Sequence, residues 1–193
     1  MIAYKGFHKD LTCTMGKGRF QYIPGEWHEE DEANCGENGF HATDNPLDVL
    51  FYYNAADDRF FIVDVRGNID EDGTNSRISA PKIKLVKELS RDQLYHEGVL
   101  WMSIHPKATW ARVVKHETGD AGGCGNIVVR GRSPMAKGQT GDRLYIIKEN
   151  KDGNIIEIGT YKVDGEKYLP NTYYDAKGDV VSDKKGVRKA AHA

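Results

Sequence analysis

The chain is poor in cysteine and has no long apolar run, and each shortage narrows what it does. Its three cysteines, Cys13, Cys35 and Cys124, cannot all pair within one chain and are not spaced as a disulfide framework. Reduced thiols and a cytoplasmic setting are therefore expected. No stretch approaches the roughly 20 apolar residues that a spanning helix needs, so no membrane partner is expected. The opening Met1-Ile2-Ala3-Tyr4-Lys5-Gly6 has no basic segment leading into an apolar one, so it carries no sign of a secretion signal. With 27 basic against 29 acidic residues the net charge is −2, and a general basic field for nucleic acid is missing. The glycines between residues 119 and 125 lack phosphate-loop spacing, and no Gly-x-Gly-x-x-Gly follows a strand. Cys13, His28, Cys35 and His41 do not fit the short paired spacings of structural zinc sites, so no metal is expected. No Ser-His-Asp set stands out either.

What is present suffices for one ordinary domain or two small ones: 193 residues, 39% of them hydrophobic and 29% charged. Short strands are expected at Ile2-Ala3-Tyr4-Lys5-Gly6-Phe7 and Arg19-Phe20-Gln21-Tyr22-Ile23, the second ended by Pro24-Gly25. The acidic run over residues 28–32 reads as a loop, with Trp27 beside it either anchoring a partner or facing a core. Gly36, Asn38 and Gly39 supply turn residues, and Phe40-His41-Ala42-Thr43 follows as a strand. Asp44 or Asn45 offers a cap and Pro46 sits at a first helical position, so a short helix is expected over residues 46–53. Residues 59–67 form the strongest strand in the chain, apolar enough to suggest burial on both faces. A polar turn at 70–75 and a strand at 82–86 come next. Ser90 with Gln93 makes a capping box that opens a helix to about Ile104, with Gly98 as its weak point. After Pro106 the helical pattern resumes over 107–115.

From about residue 118 glycine becomes frequent and a regular helix is excluded. Residues 126–133 read as short turns of extended chain. Residues 144–148 and 155–161 read as a hairpin around Asp152-Gly153, and the remainder as a β meander. The fold class is α+β: an N-terminal mixed sheet with short helices over 1–118, then a Gly-rich segment and β-hairpin region over 119–193. That second part ends in a flexible basic tail, Lys184-Lys185-Gly186-Val187-Arg188-Lys189.

Several of these segments together resemble an uncharacterised family of phages and prophages. They are Tyr4-Lys5-Gly6-Phe7, Lys9-Asp10-Leu11-Thr12-Cys13, Gly39-Phe40-His41-Ala42 and Asn45-Pro46-Leu47-Asp48-Val49. Ser76-Arg77-Ile78-Ser79-Ala80-Pro81 and Val163-Asp164-Gly165-Glu166-Lys167 extend the likeness. Relatives carry Gly-rich repeats similar to the stacked rungs of trimeric adhesin heads. The remnants here are Gly125-Asn126-Ile127-Val128-Val129 and Ser133-Pro134-Met135-Ala136-Lys137-Gly138, and they imply a possible homo-oligomer.

The N-terminal part also resembles the ADP-ribosyltransferase fold. Tyr4-Lys5-Gly6 stands where that family grips NAD, and Gly39-Phe40-His41-Ala42-Thr43 stands where a Ser/Thr braces the site. A lysine replaces the usual Arg or His, and no glutamate stands near residues 76–78, with Glu71 and Glu88 the nearest alternatives.

Tyr4, Lys5, His41 and Thr43 are accordingly the candidate ligand-binding residues. For His41 a buried core role competes with a phosphate-bearing ligand at the following helix N-terminus. Three functions remain open: a phage accessory protein acting on a host protein by binding, for instance against a defence system; an NAD-binding or ADP-ribosyltransferase-like enzyme; and an assembly protein. The first needs no cofactor, and the second implies NAD.

Overall fold

Strand propensity is densest at Arg59-Phe60-Phe61-Ile62-Val63-Asp64-Val65-Arg66, and in the computed structural model that segment is an interior strand of the larger sheet. The structure describes residues 1–14 and 18–182, so the basic tail over 184–189 lies outside the described residues. Two compact units divide the chain, Met1–Val113 and Val114–Ala193.

The first unit runs through β1 (Ile2–Phe7), β2 (Thr12–Cys13), β3 (Phe20–Gln21), β4 (Trp27–Glu29) and β5 (Phe40–Thr43). A 3-10 helix, Pro46–Phe51, follows, then β6 (Arg59–Arg66), β7 (Asp70–Glu71), β8 (Arg77–Ala80), β9 (Lys82–Leu89) and the helix α1 (Arg91–Ile104). Seven strands form one sheet in the order β4-β9-β6-β1-β5-β8-β7, antiparallel at each pair. β2 and β3 make a separate ribbon. The sheet is antiparallel and the two short helices do not form parallel β-α-β crossovers, so the class is α+β.

On one face Phe61, Val63 and Val65 of β6 pack with Ala3 and Phe7 of β1 and with Phe40, Ile78 and Leu85. On the other face Phe60 is buried while Ile62 and Asp64 are only half-buried. The expectation of burial on both faces therefore holds at Phe60 alone, since β6 lies in an antiparallel sheet with one well-covered face.

Other expectations change as well. The acidic run is not wholly loop: Trp27, His28 and Glu29 pair with β9, and Glu29 meets Lys82 at 3.0 Å. The guanidinium of Arg66 lies 4.4 Å from the Trp27 ring centre, so that indole is covered by a cation. Within the expected turn at 70–75, Asp70 and Glu71 pair with β8. No helix resumes after Pro106. Residues 105–113 run through turns instead, with the Ala108 N–H donating to the His105 carbonyl, and from Val114 the chain is extended.

The two short helices keep their sequence signals. Asn45 caps the 3-10 helix, its side chain accepting from the Leu47 N–H at 3.1 Å. Ser90 and Gln93 form a complete capping box on α1. Gly98 is where α1 meets the 3-10 helix, because a Cβ there would stand 2.3 Å from Leu47 Cγ. Glycine is retained for close approach, although it weakens the helix.

In the second unit β10 (Val114–Asp120), β11 (Asn126–Lys137), β12 (Arg143–Glu149) and β13 (Ile155–Lys162) lie side by side in chain order. β12 and β13 are the expected hairpin, but β10–β11 and β11–β12 pair in parallel. Residues 126–133, read as short turns, belong to one 12-residue strand. Asn126 faces Arg143 and Gly131 faces Lys148, an offset of 17 residues that stacks Ile127 on Leu144 and Val129 on Ile146.

Parallel neighbours this close in sequence require sharp turns, and Asp142 braces them. Its buried carboxylate accepts N–H bonds from Gly123 and Gly125 at 2.9 Å each and from Gln139 at 2.7 Å. Where the β10–β11 register shifts between His116 and Thr118, Glu117 of β10 has φ 60° and its carboxylate accepts from the N–H groups of Arg132 and Ser133, both at 2.8 Å.

Two stability outcomes follow from this packing. Gly98→Ala destabilises the protein by about 1–3 kcal/mol in urea denaturation despite alanine's higher helix propensity, because the methyl overpacks Leu47. Asp142→Ala costs about 3 kcal/mol, with faster hydrogen exchange at the amides of Gly123, Gly125 and Gln139.

Candidate functional site

β1 is held along its whole length on one side, paired with β6 from Ile2↔Asp64 to Phe7↔Arg59. On its other side it pairs with β5 at Tyr4↔Thr43 only. β5 stays in register with β8, from Phe40↔Ala80 to Thr43↔Arg77. The sheet therefore opens between β1 and β5 beyond Tyr4 and Thr43. The opening is a cleft of roughly 570 Å³ including its mouth.

All four candidate residues border this cleft. The Lys5 ammonium is buried, and its Nζ donates to the His41 carbonyl at 2.5 Å, an acceptor that β1 does not reach by backbone pairing. Cys13 Sγ lies 4.0 Å from Nζ and accepts from the Tyr53 hydroxyl at 2.9 Å. The rings of Phe7 and Tyr22 stand 5.6 Å and 5.4 Å from the same nitrogen. Burial pushes the Lys5 pKa down, against a smaller opposing effect of Cys13.

His41 Nε2 accepts the Gly36 N–H at 2.8 Å, which ties the turn before β5 to the cleft. Burial first, then the charges of Lys5 and Arg77, lowers its pKa. Thr43 has a bracing role: its hydroxyl donates to the Asn45 carbonyl at 2.9 Å. The Tyr4 hydroxyl donates to Glu97 at 3.2 Å, and burial followed by Glu97 raises its pKa to about 12.

The expected anion site at the following helix N-terminus is not there. That helix is a six-residue 3-10 segment, and Asn45, itself buried, already occupies the Leu47 N–H.

Sequence reasoning passed over three residues of the cleft. Cys13 and Tyr53 meet across 40 residues of chain, which no local pattern reveals. Tyr53 packs directly on Gly6, where a Cβ would come within 2.6 Å of it, so the glycine of Tyr4-Lys5-Gly6 is needed for contact. Arg77 enters from β8, opposite Thr43. Its guanidinium is hydrogen-bonded to Asp72, whose carboxyl is thereby held down at about 2. Its Nε is buried and has no hydrogen-bond partner among the described residues. Arg77 is positioned by Ser76, whose N–H and hydroxyl both donate to Asp48 at 3.1 and 2.8 Å. The Ser76 hydroxyl also accepts from the Asn45 N–H.

No carboxylate borders this cleft among the described residues. Glu88 is engaged with Arg59 at 2.7 and 2.8 Å, and Glu71 is exposed on β7. A second cavity shares Lys5, Cys13 and His41 with the first and is bordered by Glu30 and Glu37. Also among the described residues, no group of three His, Cys, Asp or Glu gathers in a way that could hold a metal ion.

The state of His41 predicts a pH effect. Its folded pKa lies below its unfolded value, so the unfolded chain takes up the proton first as pH falls. Its contribution is fully present above the unfolded pKa of about 6.5 and is lost as pH drops through the window below that value. His41→Gln flattens the dependence of the urea midpoint on pH within this window, and an unchanged slope would refute the assignment.

Residues 1–97 match the family described as a domain of unknown function, DUF7666, and this stretch holds the whole cleft. No curated protein and no solved structure matches the chain. The matched stretch is half of the 193 residues, and the protein belongs to the DUF7666 family.

Proposed function

We propose that the N-terminal unit is a binding module that takes a small ligand with an apolar body and one acceptor group, such as a carboxylate or phosphate, between β1 and β5. The observation that carries this reading is the buried Arg77 Nε–H, which has no partner among the described residues and belongs to a side chain bordering an otherwise largely apolar cleft. A buried donor left unsatisfied costs about 1–3 kcal/mol, so an acceptor delivered by a ligand gains by filling it. Val49, Tyr52 and Tyr53 supply the apolar wall.

Binding rather than turnover is also the mode of the accessory-protein reading, in which the acceptor group is carried by a host macromolecule. The ADP-ribosyltransferase reading requires a carboxylate aimed at the reacting centre. The position across from Thr43 carries Arg77 instead, so glycosyl transfer from NAD is not proposed.

Benzoate, inorganic phosphate and NAD, each tested at millimolar concentration, separate these readings. A binding ligand raises the midpoint of thermal unfolding in proportion to RT ln(1 + [L]/Kd). Benzoate or phosphate is expected to do so for the wild type and to lose most of the effect in Arg77→Met. If none of the three shifts the wild-type midpoint, the binding proposal fails. Release of nicotinamide from NAD would put the enzyme reading ahead of binding alone.

A further inference from the structure

The turn ahead of β5 holds the only Asn-Gly dipeptide of the chain, Asn38-Gly39, and the groups around it are arranged about one reaction. The Gly39 N–H donates to Glu30 Oε2 at 3.0 Å, so a carboxylate sits on the hydrogen of that backbone nitrogen. The Asn38 side-chain carbonyl, Oδ1, accepts from the Asn34 N–H at 2.6 Å, and Nδ2 donates to Glu32 Oε1 at 3.3 Å. These partners fix the orientation of the amide, because the flipped form would set a carbonyl oxygen against a carboxylate.

The main chain is held as well. The Ser79 hydroxyl donates to the Asn38 backbone carbonyl at 2.6 Å, and Gly39 has φ 80°. A Cβ on Gly39 would stand 2.5 Å from Ser79 Oγ and 2.7 Å from Ala33 Cβ, so the position requires glycine, which leaves the nitrogen unshielded. A backbone N–H paired with a carbonyl is simply satisfied, whereas one paired with a carboxylate meets a group able to take its proton. Only rotations within Asn38 separate its Cγ from that nitrogen.

We infer that Asn38 is a modification site, converted in the folded protein through a cyclic imide closed on the Gly39 nitrogen, with Glu30 as base and the Asn34 N–H as oxyanion donor. The Gly39 N–H proton moves to Glu30 as the nitrogen adds to Asn38 Cγ. The carbonyl π electrons move to Oδ1, where the Asn34 N–H meets the developing charge. Those electrons then return, the Cγ–Nδ2 bond breaks, and Nδ2 leaves as ammonia with the proton that Glu30 took up. Backbone amide plus carboxamide become imide plus ammonia. Water opens the ring at either carbonyl to give aspartate or isoaspartate, with no oxidant or reductant consumed. The iso form routes the main chain through Cβ just before β5. Asn38, Gly39 and Glu30 border the second cavity, so the conversion adds a negative charge there, independently of any ligand between β1 and β5.

The test incubates the full, unsubstituted chain near neutral pH, folded and in guanidinium chloride. Peptide mapping then resolves asparagine, imide, aspartate and isoaspartate at position 38. A fold that merely fixes the backbone slows ring closure, so acceleration on folding is diagnostic. Asn38 is expected to convert at least about tenfold faster in the folded protein than in the unfolded chain, and folded Glu30→Gln to lose most of that gain. Conversion no faster in the folded chain than in the unfolded one overturns the site. Acceleration that survives in Glu30→Gln overturns the assignment of the base. Because the first comparison uses the unsubstituted protein, it does not depend on a variant folding.

Discussion

The hydrogen bond from Lys5 Nζ to the His41 carbonyl spans the gap where β1 and β5 part, and the N-terminal site depends on it. β1 is fixed by its ladder to β6, and β5 by its ladder to β8. The space between them thus has two rigid walls. Had the β1–β5 ladder continued past Tyr4↔Thr43, backbone bonds would have closed the cleft, and the His41 carbonyl would have needed no side-chain donor. A buried side chain substitutes for the missing ladder and keeps the carbonyl satisfied while leaving volume beside it. The cost is a lysine buried without a counter-charge, packed beside the faces of Phe7 and Tyr22, and that burial pushes its pKa down.

Elements with a local chemical signature were legible in the sequence. The Asn45-Pro46 helix start, the Ser90–Gln93 capping box and the hairpin around Asp152-Gly153 are fixed by groups within a few residues of each other. β8 was not legible. Arg77-Ile78-Ser79-Ala80 is short and follows a polar turn, and the contacts that hold it come from Asp48 and Asn45, about 30 residues earlier in the chain. Missing that strand meant missing Arg77. The helix expected over 107–115 failed for the opposite reason: a plausible period was overruled by strand pairing from Val114. Tyr4, Lys5, His41 and Thr43 do border one cleft. Their separate roles could not be read from spacing, because Thr43 braces Asn45 and Tyr4 is tied to Glu97.

In the second unit the glycines mark where the chain turns between parallel strands, and the offset of 17 residues sets like on like in the apolar stack. The resemblance to adhesin-type rungs rested on glycine-rich segments alone. The structural observation beside it is parallel pairing across five-residue turns, at 121–125 and 138–142, braced by the carboxylate of Asp142. Anionic oxygen is well suited to such turns, since several N–H groups converge there with no strand partner.

The charges around the cleft also limit what it holds. Three basic side chains border it, but burial favours the neutral forms of Lys5 and His41, whereas a guanidinium stays protonated. Arg77 is then the one permanent cation bordering the cleft among the described residues, and Asp72 already balances much of its charge. A single carboxylate, or any group with one good acceptor directed at Nε, matches both the charge and the one unfilled donor.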